Sequence, residues 1–204
     1  MTTMAVILAG GLARRMGGGD KCRIVVGGQT ILARTIATIR PQAKHLAINA
    51  NGDPARFADT TLPVLPDTVP GYPGPLAGIL AGLEWAALLG AAWLLTVPGD
   101  CPFLPPDLAA RLHAARGDAT FACATSGGRV HPVAALWPTA LRTELHQALL
   151  AGERKIDAYT ARHALATADW PTRPHDPFFN INKPEDVTLA TTALAPLRPA
   201  GQNA

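Results

Sequence analysis

The fold follows from one stretch near the N-terminus, Met4-Ala5-Val6-Ile7-Leu8-Ala9-Gly10-Gly11-Leu12-Ala13-Arg14-Arg15-Met16-Gly17-Gly18-Gly19-Asp20-Lys21. It begins with an apolar run, which is typical of a buried parallel strand. The glycines that follow lack Cβ, so the backbone can turn tightly and bring its N–H groups close to an anion. Arg14, Arg15 and Lys21 add positive charge. The stretch therefore predicts a strand that ends in a loop suited to a phosphate chain.

Two common phosphate-binding motifs do not fit the spacing of this loop. A P-loop has Gly before its lysine and Ser or Thr after it, whereas Lys21 lies between Asp20 and Cys22. A dinucleotide fingerprint needs a third glycine at the position that Cys22 occupies, after Gly17 and Gly19. A flexible connection with solvated charges would have a similar composition, so the glycines alone do not identify a ligand.

The complete pattern resembles the signature loop of a known enzyme family. Leu8-Ala9-Gly10-Gly11, then Arg15-Met16-Gly17, then Asp20-Lys21 are similar to the loop of molybdenum cofactor guanylyltransferases. The resemblance covers about residues 4–190, although its specific motifs are short. It implies an α/β chain with a three-layer Rossmann-like nucleotidyltransferase fold and a mostly parallel central sheet.

The bulk composition is that of a folded domain. The chain has 204 residues, of which 48% are hydrophobic and 16% charged, so it can bury a sizeable core. We expect a single nucleotidyltransferase domain over residues 1–194, with a nucleotide-binding N-terminal half and an acceptor-binding C-terminal half. Residues 195–204 are rich in Pro and Gly for their length and predict a flexible tail. The net charge is only +3 without a long basic run, which argues against a nucleic-acid partner.

The cysteines and the N-terminus limit the compartment. Cys22, Cys101 and Cys123 are scattered and odd in number, which disfavours a disulfide framework and a structural zinc site. No charged region precedes the first apolar run, and the longest apolar stretches are interrupted by Gly, Glu or Pro. We therefore expect a cytoplasmic protein without a membrane partner, and a monomer.

Apolar spacing predicts alternating strands and helices. The predicted strands are 4–8, 45–50, 62–66, 93–97, 119–124, 130–137 and 164–170, with a turn at 126–128. The predicted helices are 29–40 (ended by Pro41), one from Pro75 towards Gly90, 108–115, 141–149 and one from Pro184. Such alternation favours a parallel sheet with right-handed crossovers, in which ligands bind beyond the carboxyl ends of the strands. The residues just past four of these ends are Gly10, Asn49, Asp67 and Asp100.

Asp100 is the candidate metal ligand. It directly follows an apolar strand, between Pro98 and Pro102. Nucleotidyl transfer joins two anionic substrates, so a divalent cation on a carboxylate would neutralise charge and align the reactants. Mg²⁺ typically takes one or two protein carboxylates, with phosphates and water completing its shell. A turn cap is the alternative role for Asp100, and the resemblance implies that it holds Mg²⁺.

The resemblance also implies a set of nucleotide-binding residues. It assigns Leu8, Ala9, Gly10 and Gly11 of the loop, Lys21 as a phosphate-neutralising cation, Asn49, Asp67, Gly78 and Asp100. Gly78, in the Gly-Pro-Leu-Ala-Gly run of residues 74–78, would let the backbone approach the base. A carboxylate such as Asp67 can accept from the ring N–H and the exocyclic amine of guanine together. We expect Lys21, Asp100 and Arg15 to act in catalysis. Taken singly, Asn49 and Asp67 would also fit turns, and Lys21 a solvated charge.

Candidates for the acceptor site lie in the second half of the chain. They are His131, Arg154, Lys155, Asn180 and Asn182. Asn offers donors and acceptors suited to a pterin edge, and the positively charged side chains of Arg154 and Lys155 could hold a phosphate. A core histidine and a solvated helix start are the alternative roles for His131 and for the Arg154-Lys155 pair.

The resemblance implies transfer of GMP from GTP to the phosphate of molybdopterin, with or without bound molybdenum. It also implies transient contacts with other cofactor-synthesis proteins and with molybdoenzymes or their chaperones. Gly99 before Asp100 is a departure, because Pro-Gly-Asp is found in related cytidylyltransferases, whereas Leu-Ala-Gly-Gly and Pro105 are typical of guanine-using members. The alternatives are a molybdopterin cytidylyltransferase, a sugar-phosphate nucleotidyltransferase, and a nucleotide-binding carrier or chaperone of the cofactor without catalysis.

Overall fold

The computed structural model describes residues 2–11, 18–69, 71 and 74–195. The strands are β1 (Thr3–Leu8), β2 (Val25–Val26), β3 (Gln29–Thr30), β4 (Leu46–Asn49), β5 (Val64–Leu65), β6 (Trp93–Pro98), β7 (Phe121–Ser126), β8 (Arg129–Pro138) and β9 (Leu165–Trp170). The α-helices are α1 (Ile31–Ile39), α2 (Pro75–Leu88), α3 (Leu108–Arg116), α4 (Arg142–Leu150), α5 (Ile156–Thr160) and α6 (Pro184–Leu194). The predicted tail lies outside the described residues, apart from Ala195.

The central sheet confirms the predicted fold class. Among the described residues, seven strands form one sheet in the order β5-β4-β1-β6-β8-β7-β9, and β2 pairs with β3 in a separate hairpin. Neighbouring strands are parallel from β5 to β6 and between β7 and β9. Only β8 runs antiparallel to its neighbours β6 and β7 within this sheet. The chain order reverses at β1, which lies between β4 and β6, and a ligand crevice forms at such a switch point.

Helices cover both faces of the sheet because successive strand residues point to opposite sides. On one face, Ala5 and Ile7 of β1 belong to a buried cluster with residues of α1 and α3. On the other face, Met4 and Val6 of β1 belong to a cluster with residues of α2, α4 and α5. A smaller cluster joins β2 to α6 through Val26 and Ala190. The result is a three-layer α/β domain, and its helices, so far as they are described, are too short or too polar to cross a membrane.

Two predicted elements, the helix over 29–40 and the strand over 62–66, have wrong boundaries. The helix predicted over 29–40 begins at Ile31, because Gln29 and Thr30 form β3 and the Thr30 hydroxyl caps the helix by accepting from Ala33 N at 3.1 Å. Pro41 does not end α1 directly but lies inside a 3₁₀ turn, Arg40–Gln42. The strand predicted over 62–66 is reduced to Val64–Leu65 at the edge of the sheet.

Candidate active site

A cleft of about 920 Å³ opens at the carboxyl ends of β1, β4 and β6. The sequence-predicted residues that line it are Leu8, Ala9, Gly10, Gly11, Lys21, Asn49, Asp67, Asp100, His131 and Asn180. Residues that are separated along the chain by up to about 170 positions therefore meet at one edge of the sheet. The predicted convergence of Gly10, Asn49, Asp67 and Asp100 is confirmed.

The ends of β1 and β6 touch where Asp100 enters the cleft. Gly99 N donates to Leu8 O at 3.0 Å, and a Cβ on Gly99 would lie 2.9 Å from that same oxygen. A side chain at position 99 would therefore push the two strand ends apart. Gly99, which departs from the guanine-using pattern, here has a packing reason that does not involve the base.

The glycine-rich loop begins and ends at the cleft. Lys21 N donates to Gly11 O at 3.1 Å, so the two ends of the loop are joined directly. This bond places Lys21 beside Gly10 and Gly11 in the lining of the cleft. Arg15 and the other residues of 12–17 lie outside the described residues, so the predicted catalytic role of Arg15 stays a prediction.

Lys21 and Asp100 line the cleft and form a polar cluster with Asn182, which lies just outside its lining. Lys21 Nζ lies 3.4 Å from Asp100 Oδ2 and donates to Asn182 Oδ1 at 2.6 Å. The side chains of Lys21 and Asp100 are 20% and 21% exposed, so their charges are only partly hydrated. Burial raises the pKa of the Asp100 carboxyl above its ordinary value, and the Lys21 ammonium opposes that rise. The site can therefore bind a cation at Asp100 and an anion at Lys21.

Metal binding at this cluster would rest on few protein ligands. The described residues contain no group of three or more His, Cys, Asp or Glu side chains that could hold a metal ion. Asp100 offers hard carboxylate oxygens inside the cleft, and Lys21 contacts only one of them. This donor set fits Mg²⁺, which binds through one or two carboxylates and takes its other ligands from phosphates and water.

Asp67 is held in the cleft by two asparagines. Asn49 Nδ2 donates to Asp67 Oδ1 at 2.9 Å and to Leu65 O at 3.0 Å. Asn51 Nδ2 donates to Asp67 Oδ2 at 2.8 Å, and Asp67 N donates to Asn51 Oδ1 at 2.8 Å. Each carboxylate oxygen thus accepts one bond from the protein and keeps a further acceptor position for a ligand.

Gly78 supports the site from inside helix α2 and is not part of the cleft surface. It is buried in α2 and does not line the cleft. A Cβ built on Gly78 would lie 2.2 Å from Asn49 Oδ1, which is far inside van der Waals contact. The structure therefore gives Gly78 a different role from the predicted approach to the base: it leaves room for Asn49.

The half of the cleft beyond Asp100 contains an aromatic and polar wall. The rings of His131 and Phe178 stack with centroids 4.6 Å apart. Ser126 Oγ lies 2.7 Å from His131 Nε2 and donates to Asp176 Oδ1 at 2.8 Å. The Ser126 hydroxyl uses its hydrogen in the bond to Asp176. The Ser126 oxygen is therefore the acceptor in the other bond, and His131 Nε2–H is the donor. Burial lowers the pKa of His131, opposed by the carboxylate of Asp176.

Two of the other acceptor candidates lie beside Asp100. Ile181 N donates to Asp100 O at 3.0 Å, which docks the segment 180–182 against the end of β6. The buried Cys101 Sγ lies 3.6 Å from both Phe178 O and Asn180 Oδ1. Burial raises the pKa of the Cys101 thiol well above its ordinary value, so the thiol stays protonated and can donate to the Asn180 side chain.

Arg154 and Lys155 are not brought into the lining of the cleft. Arg154 Nη1 donates to Leu149 O at 3.3 Å and to Glu153 O at 3.0 Å. Glu153 Oε1 accepts from the main-chain N–H groups of Arg154 and Lys155, and these bonds form a turn before α5. The Arg154 carbonyl nevertheless approaches Gly74 at the edge of the cleft, 3.6 Å from the position of a Cβ. Their predicted contact with an acceptor phosphate stays a prediction.

Sequence reasoning missed several residues of the cleft. Asn51, Cys101, Arg129 and Phe178 line it but were not predicted as site residues. Asn51 follows β4 by two positions, in the run Asn49-Ala50-Asn51, so alternation along an extended strand end could have identified it. Ser126 and Asp176 gave no local signal, because their roles depend on contacts across about 50 positions of sequence.

Comparison with known proteins agrees with this geometry. A family model described as "MobA-like NTP transferase domain" matches residues 5–167. The molybdenum cofactor guanylyltransferase of Rhodopseudomonas palustris (strain BisB5) is 58% identical over 193 residues, 92% of each chain. The enzyme of that name from Nitrobacter hamburgensis is 54% identical over 198 residues, 95% of each chain. Among solved structures, molybdopterin-guanine dinucleotide biosynthesis protein A from Archaeoglobus fulgidus superposes with a TM-score of 0.71. It is 22% identical, and the match covers 93% of this chain and 97% of that one, which shows a shared fold.

Proposed function

This chain belongs to the MobA-like NTP transferase family, and we propose that it transfers GMP from GTP to the phosphate of molybdopterin. The products are molybdopterin guanine dinucleotide and pyrophosphate. The observation that carries the proposal is the 58% identity to a molybdenum cofactor guanylyltransferase across 92% of both chains. The cleft supports it, because the loop end, Lys21 and Asp100 meet there as nucleotidyl transfer requires.

The reaction is an in-line displacement at the α-phosphorus of GTP. An oxygen of the acceptor phosphate forms the new P–O bond, and the bond to the bridging oxygen breaks as pyrophosphate leaves. Both reactants are anions, so neutralisation and alignment are the main tasks of the protein. Gly10 and Gly11 lie where their main-chain N–H groups can approach a triphosphate, and Lys21 supplies a positive charge at the same place.

Asp100 would hold Mg²⁺ in this proposal. The bound cation supplies charge neutralisation between the triphosphate and the acceptor phosphate. Because burial already raises the pKa of Asp100, a cation at this carboxylate would remove an unfavourable buried charge. Lys21, which donates to Asn182, would contact the phosphates beside this cation.

Asp67 is the proposed reader of the base. A guanine offers its N1–H and its 2-amino group side by side, and a carboxylate can accept from both. Asn49 and Asn51 leave one acceptor position on each Asp67 oxygen for this pair. Cytosine lacks a ring N–H on its Watson–Crick edge, so this arrangement favours GTP over the CTP of the cytidylyltransferase alternative.

The acceptor would lie against the wall formed by His131, Phe178 and Asn180. The stacked rings offer a flat apolar surface for a pterin, and Asn180 offers an amide for its polar edge. Arg129 also lines this half of the cleft and supplies a positive charge for the phosphate. This division places the nucleotide and the acceptor on opposite sides of Asp100.

The test is a transfer assay with the purified protein, molybdopterin and Mg²⁺. We expect pyrophosphate release and dinucleotide formation from GTP, with much slower turnover of CTP. Faster turnover of CTP would favour the cytidylyltransferase, and turnover only with a sugar phosphate would favour that alternative acceptor. Tight GTP binding without pyrophosphate release in the presence of any of these acceptors would favour a carrier. Dialysis against a chelator should stop transfer, and added Mg²⁺ should restore it. Cytoplasmic location, the monomeric state and transient contacts with molybdoenzymes or their chaperones stay predictions.

A further inference from the structure

Asn51 makes an unusual pair of contacts with a single residue of the cleft. Its amide nitrogen donates to Asp67 Oδ2 at 2.8 Å, and its amide oxygen accepts from Asp67 N at 2.8 Å. The side chain of Asn51 therefore binds both the main chain and the carboxylate of Asp67. The amide orientation follows from this pattern, because only Oδ1 can accept from the main-chain N–H group.

Asn51 is itself anchored from outside the cleft. Arg56 Nη2 donates to Asn51 O at 2.6 Å, and Arg56 Nη1 pairs with Asp20 Oδ1 at 2.9 Å. The Arg56 guanidinium also lies over the ring of the buried Phe57, 5.2 Å from its centroid. The main chain of Asn51 is thus tied to the end of the glycine-rich loop, at Asp20.

We propose that Asn51 is a positioning residue for base selection, acting through the carboxylate of Asp67. This inference rests on the proposed function. Asn49 fixes Oδ1 and Asn51 fixes Oδ2, so the plane of the carboxylate has a single orientation. Each of these bonds uses one acceptor position, so the carboxylate keeps one further position on each oxygen for the guanine N1–H and 2-amino groups. Without Asn51, Oδ2 loses its hydrogen bond. Only the bond from Asn49 to Oδ1 then restrains rotation of the carboxylate.

The two purine nucleotides GTP and ITP provide the probe, because inosine lacks only the 2-amino group. A site that reads this amine by hydrogen bonding discriminates against an analogue that lacks it. For the wild-type protein with Mg²⁺ and without acceptor, we expect tighter equilibrium binding of GTP than of ITP. For Asn51→Ala, we expect this preference to fall by about tenfold, mainly through weaker GTP binding. In transfer assays KM for GTP should rise while kcat changes little, because the bonds of the Asn51 side chain go to Asp67, the proposed reader of the base.

Asn51→Asp sharpens the test. It keeps an oxygen that can accept from Asp67 N but places a second carboxylate oxygen against Asp67 Oδ2. Repulsion should reduce GTP binding more than Asn51→Ala does. Asp53→Ala is the matched control, because the Asp53 carboxylate caps Ala55 N at 2.9 Å in the same loop and does not line the cleft. This control should lower the thermal midpoint, because the cap on Ala55 is lost, and should keep the GTP-to-ITP preference.

Several results would overturn the inference. Equal binding of GTP and ITP by the wild-type protein would show that no acceptor reads the 2-amino group. An unchanged preference in both Asn51 variants would remove Asn51 from base selection. An equal loss in Asn51→Ala and Asp53→Ala would assign the effect to the loop as a whole. Failure of the wild-type protein to transfer GMP would contradict the proposed function instead, and this outcome is distinguishable because the binding measurements need no acceptor.

Discussion

Gly78 and Asn49 are packed so closely that position 78 has no space for a methyl group. A Cβ on Gly78 would lie 2.2 Å from Asn49 Oδ1 and 2.8 Å from Asn49 Cγ. Asn49 is buried and donates to Asp67, so the volume of a helix residue controls an amide on a neighbouring strand. Helix α2 thus supports the nucleotide side of the cleft without lining it.

The first prediction concerns Gly78→Ala. Alanine normally stabilises a helix interior by about 1 kcal/mol relative to glycine. Here the added methyl group should displace Asn49 from Asp67, so we expect GTP binding to weaken by about tenfold. Titration calorimetry with GTP and Mg²⁺ measures this change. Gly82→Ala is the matched control, because the three atoms nearest to its Cβ belong to Leu94 and Val6, at 2.8 and 2.9 Å for the closest of each, and not to Asn49. Equal GTP affinity in Gly78→Ala and wild type would contradict the prediction.

Asp100→Asn should separate activity from stability. The variant loses the carboxylate that would hold Mg²⁺, so we expect transfer to fall by a factor on the order of 10³. Burial raises the pKa of Asp100, which means that the folded protein disfavours the charged form. A neutral amide should therefore leave the thermal midpoint of unfolding at neutral pH unchanged or higher. Transfer assays and thermal melts measure the two effects.

Asp59→Asn is the control for the sign of that stability effect. Asp59 is a surface residue whose pKa is lowered by the hydrogen bond from Arg23, so its charged form is favoured in the folded state. Its amide variant should not raise the thermal midpoint, and it should retain transfer activity. Wild-type transfer by Asp100→Asn would exclude the proposed metal role, and a clear loss of stability in that variant would contradict the expected sign of the stability effect.

Lys21→Ala should weaken binding of the triphosphate more than binding of GMP. The Lys21 main chain is bonded to Gly11 and its ammonium lies 3.4 Å from Asp100 Oδ2, where the phosphates are expected. Removing one phosphate contact of this kind costs about 1.5–3 kcal/mol, which is about 10- to 150-fold in affinity. Equilibrium binding of GTP and GMP measures the difference. A parallel loss for both nucleotides would indicate a collapsed cleft rather than a lost phosphate contact.

The pH dependence of stability should include a contribution from His113 at the opposite end of the sheet. Burial, with a smaller effect from Arg116, lowers the pKa of His113 from its ordinary value of 6.5. Below pH 6.5 the unfolded chain binds a proton that the folded protein resists. The free energy of unfolding should therefore be fully retained above pH 6.5 and decrease as the pH falls through the range between the two pKa values.

His113→Gln tests that contribution. The glutamine amide reaches about as far as His113 Nε2, so it can keep the hydrogen bond that Nε2 makes with Thr3 Oγ1 at 2.8 Å, and it does not titrate. Urea unfolding at several pH values from 7 to about 5 should show a shallower loss of stability than in the wild type. Some loss should remain, because burial also lowers the pKa of His131. Identical slopes in the two proteins would show that His113 does not contribute.

Much of the fold follows from local patterns in the sequence. The apolar run before Gly10 and the one before Asp100 form adjacent parallel strands, as the alternation of elements predicts. Their carboxyl ends then bring Gly10 and Asp100 to the same cleft. The turn at 126–128 predicts a reversal of direction, and β8 is accordingly antiparallel to β7. Such features depend on period and on turn chemistry, which are properties of short segments.

The remaining features depend on contacts between distant segments. The resemblance predicts that Gly78 lies beside the nucleotide base. The packing of Gly78 against Asn49, however, depends on α2 crossing over β4. The link from His131 through Ser126 to Asp176 has no sequence signature, because any turn could contain a serine and an aspartate. Arg154 and Lys155 are predicted acceptor-site residues, yet the structure does not place them in the lining of the cleft. Side-chain direction and packing decide these cases.

The contacts of Lys21 have a consequence for how the protein matures. Its partner Asp100 lies 79 positions later and its partner Asn182 161 positions later. A nascent chain emerging from the ribosome therefore carries the glycine-rich loop long before it can secure the lysine. Competence for chemistry arises only when the segment around Asn182 has been synthesised and has docked, so a fragment ending before it should fold in part but stay inert.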